Sequence, residues 1–339
     1  MPQFAAGTIG MTGIAEAGAA APKTMNDSPA EFVAYQERRR QALWGLLGDL
    51  PWQHEPVPPK LVRTEDHGTY LLERLVLDLN GVEPVPALLL LPKRRPKRAP
   101  GLLFIHWHGG MYDLGKEQLL RGVNVQPAYA PVCAELGLVT LAIDSWCFGE
   151  RKREANGHQG EEDTFKRMLW QGQTLWGMMM FDEYRALHYL AGLPEVDPGK
   201  LGAFGMSMGS TKAWWLSALE PKVAMAADVC CLTDYDSLIQ TNGLHGHGVY
   251  YFVPSLLKQF TTAQVNELMV PRPHISVNGR KDPLTPPAGV ERVREELMPL
   301  YQKYGREQDC HIELFDCAHE ELPEMRRQIR AWFEKYLRA

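Results

Sequence analysis

The chain of 339 residues has no run of about 18 or more apolar residues, the length that a membrane-spanning helix needs. It has no excess of positive charge either, since 36 lysines and arginines stand against 41 aspartates and glutamates, a formal net charge of −5. Binding to nucleic acid relies on a basic face. The sequence therefore predicts neither a membrane nor a nucleic acid as a partner, and it leaves the oligomeric state open.

Cysteine is scarce, and its spacing argues against a disulfide framework. Two of the six cysteines are adjacent, and Cys310 and Cys317 flank a predicted strand at 311–315. Extended residues at ~3.3 Å each would hold those two roughly 23 Å apart, far beyond the ~7 Å that a disulfide permits. We therefore expect free thiols in a reducing compartment, the cytoplasm.

The N-terminal part of the chain is predicted to contain a tail and a helical segment. Residues 1–27 are rich in alanine and glycine and have no basic residue before Lys23, which favours a flexible tail over a secretory signal. Ser28-Pro29-Ala30-Glu31 has the pattern of a capping box with proline at the first helical position. It opens a helix within a segment covering residues 28–59.

Residues 60–339 alternate short apolar runs with helical stretches. The predicted strands are at 70–79, 86–91, 101–105, 139–143, 201–204, 224–229, 274–277 and 312–315, and the helices at 178–190, 211–219, 290–304 and 322–337. Continuous apolar strands that alternate with helices are typical of an α/β fold, with a mostly parallel sheet covered on both faces. The first two strands predict an antiparallel edge. We interpret residues 232–270, longer than a simple crossover requires, as a small cap-like insertion in this single domain.

The most informative motif is Gly205-Met206-Ser207-Met208-Gly209. It lies between an apolar strand and a helical stretch, which is the setting of a nucleophile elbow. The turn is so tight that the residues two positions before and after the serine must be nearly free of side chains, and glycine meets that demand. The motif predicts that the Ser207 hydroxyl is exposed at the carboxyl edge of the sheet.

A serine hydroxyl is a weak nucleophile and needs an adjacent base, which in turn needs an orienting partner. Asp282 and His319 each follow a predicted strand, so both are expected at the same sheet edge as Ser207. The order serine, acid, histidine is the one expected of an α/β-hydrolase. Asp316 is a rival for the acid, but it lies only three positions before the histidine.

With these residues the chain resembles the α/β-hydrolases of the dienelactone-hydrolase and acetyl-xylan-esterase-like group. The likeness also rests on the loop His106-Trp107-His108-Gly109-Gly110 and on a stretch at 144–151 similar to one that such esterases carry. The resemblance implies a carboxylic ester hydrolase that uses a serine where dienelactone hydrolases use cysteine. It implies that Ser207, His319 and Asp282 are a catalytic triad without cofactor.

The oxyanion of an ester hydrolase needs preorganised donors. We expect the Met208 amide to be one of them and the amide of His108 or Gly109 to be the other. The expected substrate is a small ester with a short acyl group, because aromatic residues are available to crowd the site. The candidate pocket residues are Trp107, Trp146, Tyr250 and Tyr251.

Three other interpretations remain open. A serine peptidase related to the prolyl oligopeptidases would share these motifs, although those enzymes carry a large propeller domain before the hydrolase domain. His106 and His108 lie two apart on a predicted strand end and could bind a metal, with His245 and His247 completing the site, but no ligand follows at metal-hydrolase spacing. A fold that binds ligands without catalysis is disfavoured by the complete triad. We predict no metal.

Overall fold

The computed structural model describes residues 28–122, 127–153 and 157–338. The prediction of a flexible tail at 1–27 lies outside them. Nine strands form one sheet: β1 (Lys60–Asp66), β2 (Tyr70–Leu77), β3 (Val85–Pro92), β4 (Ala99–Ile105), β5 (Val139–Ile143), β6 (Val196–Met206), β7 (Val223–Val229), β8 (His274–Gly279) and β9 (Cys310–Phe315). Their order is β1-β2-β3-β5-β4-β6-β7-β8-β9. The pairs from β1 to β3 and the β3–β5 pair are antiparallel, and the rest are parallel. The predicted fold class is confirmed.

Strand β1 was absent from the sequence prediction. Its residues are almost all exposed, and its apolar residues Leu61 and Val62 are adjacent instead of alternating with polar ones. A strand at the edge of a sheet that buries neither face gives no period-two pattern. The prediction therefore began one strand too late.

The helices of the described residues are α1 (Pro29–Leu46), α2 (Ala130–Leu136), α3 (Gly157–Trp170), α4 (Leu175–Gly192), α5 (Met208–Leu219), α6 (Tyr235–Gln240), α7 (Thr262–Asn266), α8 (Pro287–Lys303) and α9 (Pro323–Phe333), the last continued by a π-helical turn (Glu334–Arg338). The sequence predicted α1, α4, α5, α8 and α9 and missed α2, α3, α6 and α7. Helix α1 begins with the predicted capping box, in which the Ser28 hydroxyl accepts from the Glu31 amide and the Glu31 side chain accepts from the Ser28 amide.

The core lies on both faces of the sheet because successive side chains of a strand point to opposite faces. Along β4, Leu103 and Ile105 belong to the cluster on one face, whereas Leu102 and Phe104 belong to the other. All four are buried. This two-sided burial explains why the central strands are continuous apolar runs.

Residues 232–270, the insertion segment, lie between β7 and β8 and hold α6, α7 and several 3₁₀ turns. Helix α1 fastens the base of this segment. Gln36 Nε2 donates to the carbonyl oxygens of Glu267 (2.8 Å) and Val270 (2.7 Å). The guanidinium of Arg40 donates to the carbonyl oxygen of Leu268 at 3.2 Å and to that of Ala218, in α5, at 2.9 Å. These four hydrogen bonds are thus made to main-chain oxygens, whereas Tyr35 and Arg39 of the same helix contact the side chains of Glu267 and Phe260.

All six cysteines lie in the described part of the chain, and each is a buried free thiol, as the sequence predicts. None of the helices within residues 28–122, 127–153 and 157–338 is long and apolar enough to cross a membrane.

Candidate active site

Ser207 occupies a sharp turn between β6 and α5. Its backbone angles, φ 55° and ψ −119°, lie in a region that residues with a side chain rarely adopt. The Ser207 amide donates to the carbonyl oxygen of Val229 in the neighbouring strand β7 at 2.9 Å. The strained turn is therefore tied to the sheet, and it holds the hydroxyl above the carboxyl ends of the parallel strands.

The two glycines of the motif are required by close backbone contacts. A Cβ at Gly205 would lie 2.3 Å from the Gly209 carbonyl carbon. A Cβ at Gly209 would lie 2.1 Å from the Ile105 oxygen and 3.0 Å from the His106 oxygen. Because all these neighbours are main-chain atoms, no side chain can move aside to make room. Helix α5 consequently packs directly on the end of β4.

The loops after β8 and β9 bring Asp282 and His319 to Ser207. His319 Nε2 lies 2.8 Å from Ser207 Oγ, and His319 Nδ1 lies 2.6 Å from Asp282 Oδ2. Asp282 is 2% exposed, and its other oxygen accepts from the Leu284 amide at 2.9 Å. The three side chains that the sequence singles out thus form one continuous hydrogen-bonded series.

Main-chain hydrogen bonds fix the two loops to each other. The Arg280 amide donates to the Phe315 oxygen (2.7 Å), and the Lys281 amide donates to the Cys317 oxygen (2.9 Å). The rival acid Asp316 points elsewhere, since it is largely exposed and pairs with Lys281 at 2.8 Å. It makes no part of the series.

The residues expected to donate to an oxyanion also lie at this edge. Met208 is the first residue of α5, and the first amides of a helix have no partner within it. His108 and Gly109 follow β4 and line the same cavity as Ser207. The next amide in that loop, of Gly110, is already used, since it donates to His108 Nδ1 at 3.1 Å.

A cavity of about 230 Å³ opens over Ser207 and His319. Tyr250 and Tyr251 of the insertion segment line it, as the sequence predicts for these two residues. Sequence reasoning missed several other lining residues. They are Thr211 on α5, Cys231 just after β7, His247 in the insertion segment and Leu284 two residues past Asp282. The available signal was the position of Cys231 just after β7 and that of Leu284 just after Asp282.

Trp107 and Trp146 do not line the cavity, and their assignment to the pocket is corrected here. Trp107 is 7% exposed and packs in the core near Phe104, with 6.1 Å between ring centroids. Trp146 is 1% exposed and lies under the Arg151 guanidinium, 4.6 Å from it. Both follow strand ends, but their side chains turn into the protein and not towards the serine.

The histidines after β4 are engaged with the protein and do not form a metal site. His106 is fully buried, and its Nε2 accepts from the Ser145 amide at 3.0 Å while its Nδ1 donates to the Trp107 oxygen at 2.9 Å. In His108, Nδ1 accepts from Gly110 and Nε2 lies 3.1 Å from Tyr250 Oη. A metal needs a free lone pair on the imidazole, which neither ring offers.

Cys230, Asp282 and His319 each have a potential metal-ligand atom, and these three atoms lie within 4.8 Å of one another. Burial, followed by the charge of Asp282, raises the pKa of the Cys230 thiol well above its ordinary value. Metals bind the thiolate, so a protonated thiol beside a histidine that is already bonded to Asp282 does not fit a metal ligand set.

A larger cavity, of about 1090 Å³, lies at the opposite edge of the sheet. Residues near the amino ends of β4, β5 and β6 line it, including Arg98, Gly137 and Asp197. Open α/β sheets place their sites at the carboxyl ends of the strands. The smaller cavity, which contains Ser207 and His319, is therefore the candidate active site.

No known family profile matches the chain. A protein of Bacillus subtilis described as "Putative hydrolase YtaP" is 39% identical over 303 residues, which are 89% of this chain and 99% of that protein. Among solved structures, one titled a putative acetyl xylan esterase from Bacteroides fragilis has a TM-score of 0.69 at 18% identity, over 92% of this chain and 84% of that one. A glucuronoyl esterase from Solibacter usitatus has a TM-score of 0.63 at 14% identity, over 88% and 92%.

The sheet order, the serine elbow after β6 and the likeness to these solved structures define a protein of the α/β-hydrolase fold. Within that fold, the chain belongs to the same family as YtaP of Bacillus subtilis, since the two match over almost their full lengths.

Proposed function

We propose that the protein is a serine hydrolase that cleaves carboxylic esters through an acyl-enzyme. The observation that carries this proposal is the hydrogen-bonded series from Ser207 through His319 to Asp282, with distances of 2.8 and 2.6 Å. The relationship to YtaP, whose description is "Putative hydrolase", supports the same reaction type. The folds of the acetyl xylan and glucuronoyl esterases agree with it.

The proposed reaction follows from the roles that these positions permit. His319 Nε2 takes the hydroxyl proton while Ser207 Oγ attacks the ester carbonyl carbon. Asp282 accepts a hydrogen bond from Nδ1–H, keeps the imidazole in that tautomer and stabilises the imidazolium. His319 then returns the proton to the leaving alcohol. A water activated by the same nitrogen cleaves the acyl-enzyme and releases the carboxylic acid and free Ser207.

The negative oxygen of the tetrahedral intermediate would lie at the amino end of α5. The Met208 amide is proposed as one donor, and the positive end of the helix dipole adds to it. The second donor is the His108 or Gly109 amide. Two nearby amides are engaged elsewhere, since Ser207 donates to Val229 and Gly110 to the His108 ring.

The proposed substrates carry short acyl groups. The cavity of about 230 Å³ is walled by Tyr250, Tyr251 and Leu284, so it has little room for a long chain. A series of p-nitrophenyl esters from acetyl to dodecanoyl tests this. We expect kcat/KM to fall as the acyl group lengthens, and a best rate on octanoyl or longer chains would refute the size argument.

A fluorophosphonate probe and Ser207→Ala test the reaction type. We expect the wild type to be labelled covalently and Ser207→Ala to lose both labelling and turnover, by about 10⁴-fold or more. The variant should retain its melting temperature because the change removes one oxygen and leaves no large cavity. Labelling that persists in Ser207→Ala, or activity that a chelator abolishes, would contradict the serine mechanism.

We also propose that the protein functions in a reducing compartment. All six cysteines are free thiols, which agrees with function in a reducing compartment such as the cytoplasm.

A further inference from the structure

The His108 ring in the catalytic cavity has a defined tautomer. An amide N–H can only donate, so the bond from the Gly110 amide makes His108 Nδ1 an acceptor, without a proton. Burial, followed by electrostatic interaction with His319 and Lys212, lowers the pKa of His108 to about 4. The ring is therefore neutral near pH 7, and its one proton lies on Nε2.

The proton on His108 Nε2 determines whether the Tyr250 hydroxyl accepts or donates the hydrogen bond between them. His108 Nε2 lies 3.1 Å from Tyr250 Oη, so the ring donates and the phenol oxygen accepts. The phenol hydrogen is not consumed by this bond. Among the residues at 28–122, 127–153 and 157–338, no acceptor is within hydrogen-bonding distance of it. Tyr250 thus presents an unused donor in a cavity that it shares with Ser207.

The surroundings hold the Tyr250 ring in place. It stacks on Trp176 with 6.0 Å between centroids and an angle of 18°, and the Phe148 ring contacts it edge-on at 6.1 Å. Its backbone amide points at Glu161 Oε1, 3.4 Å away. Burial, followed by the charge of Glu161, raises the pKa of Tyr250 well above its ordinary value, so the phenol keeps its hydrogen. A donor fixed before binding loses little entropy when a ligand accepts from it.

We propose that the Tyr250 hydroxyl is a specificity-determining group, which donates a hydrogen bond to an oxygen of the substrate that lies outside the ester group. In this arrangement His108 is a positioning residue that directs the phenol hydrogen into the cavity. The preferred substrates are then esters that carry a second oxygen acceptor, such as an ether or hydroxyl oxygen. The inference rests on the proposed ester hydrolysis.

The test uses pairs of esters in which one CH₂ is replaced by oxygen. Methoxyacetate and butanoate p-nitrophenyl esters form the acyl pair, and 2-methoxyethyl acetate and butyl acetate form the alcohol pair. Tyr250→Phe should lower the ratio of kcat/KM for the ether member to kcat/KM for its hydrocarbon twin by about 3- to 10-fold in at least one pair, the range of one hydrogen bond. The loss should be in KM if the bond is equally strong in the ground and transition states.

Two variants of His108 separate positioning from general structural damage. His108→Gln offers an amide N–H to Tyr250 Oη and should retain the preference for the ether ester. His108→Ala offers none and should reduce that preference, whatever its effect on overall rate. Because the readout is a ratio within one enzyme, a loosened loop lowers both members of a pair together and leaves the ratio unchanged.

The outcomes distinguish this proposal from the function on which it rests. If Tyr250→Phe changes both members of each pair equally, or neither, the role of Tyr250 is overturned while the esterase proposal stands. If the wild type cleaves none of the four esters, the proposed function and the role of Tyr250 fall together.

Discussion

Replacing Asp282 by asparagine should reverse the hydrogen bond at His319. In the present structure Asp282 Oδ1 accepts from the Leu284 amide (2.9 Å) and Oδ2 faces His319 Nδ1 (2.6 Å). An asparagine would place its oxygen on the Leu284 amide and therefore its NH₂ group towards Nδ1. The histidine would then have to accept there and carry its proton on Nε2, facing Ser207. A protonated Nε2 cannot take the serine proton.

The expected loss follows from that tautomer. In the serine protease for which it has been worked out, the wrong tautomer lowers kcat by about 10⁴-fold, equivalent to about 5.5 kcal/mol in the activation barrier. We expect a loss of the same order here, because Asp282 is buried and water cannot easily restore the lost acceptor. The fold should remain, since the two side chains are nearly equal in volume.

Asp316→Asn is the matched control, three residues from His319. Its carboxylate is largely exposed and pairs with Lys281, so we expect less than about a two-fold change. The measurements are kcat and KM on p-nitrophenyl acetate, with melting temperature and circular dichroism to check the fold. A folded Asp282→Asn variant within tenfold of wild type, or a larger loss in Asp316→Asn, would refute the assignment of the acid.

Two further changes test the elbow and the N-terminal contact. Gly209→Ala puts a Cβ 2.1 Å from the Ile105 oxygen, so α5 must shift by about 1 Å, and we expect kcat/KM to fall about 100-fold with a lower melting temperature. Gly192→Ala, where a Cβ meets nothing within 4 Å, should change neither, and equal effects would contradict the steric argument. Burial raises the pKa of Glu267 from 4.5 to about 7, so the folded state retains a proton that the unfolded state has released between those values. The free energy of unfolding should therefore fall as pH rises across that window, by up to about 3 kcal/mol. The Glu267→Gln side chain still accepts from Tyr35, so this variant should have a higher melting temperature than wild type at pH 8 but not at pH 5. If the melting temperatures of the two proteins change with pH in parallel, the reasoning is refuted.

Much of the fold could be predicted because burial on both faces imposes a simple pattern. The central strands are continuous apolar runs, and β4, β5 and β6 end directly before the polar residues His106, Asp144 and Ser207. The strand ends also explain why Asp282 and His319 could be proposed as partners of Ser207, since parallel strands bring their carboxyl ends to one edge. Residues far apart in sequence could thus be assigned to one place.

The features of the site that the sequence did not predict depend on how side chains are oriented. Trp107 and Trp146 follow strand ends, but a strand end fixes only a position and not the direction in which a bulky side chain packs. The role of Tyr250 depends on which His108 nitrogen carries the proton, and that is decided by the Gly110 amide. Such information exists only once the loop after β4 and the insertion segment have been brought together.

The fastening of the insertion segment by α1 has a consequence for how this protein could diversify. Gln36 and Arg40 hold carbonyl oxygens of the polypeptide backbone, which every amino acid supplies. Side chains of the insertion segment that line the cavity over Ser207 can therefore be replaced without breaking these hydrogen bonds. Single substitutions at positions such as His247 or Tyr251 can therefore alter substrate selectivity while the hydrogen bonds from Gln36 and Arg40 stay intact.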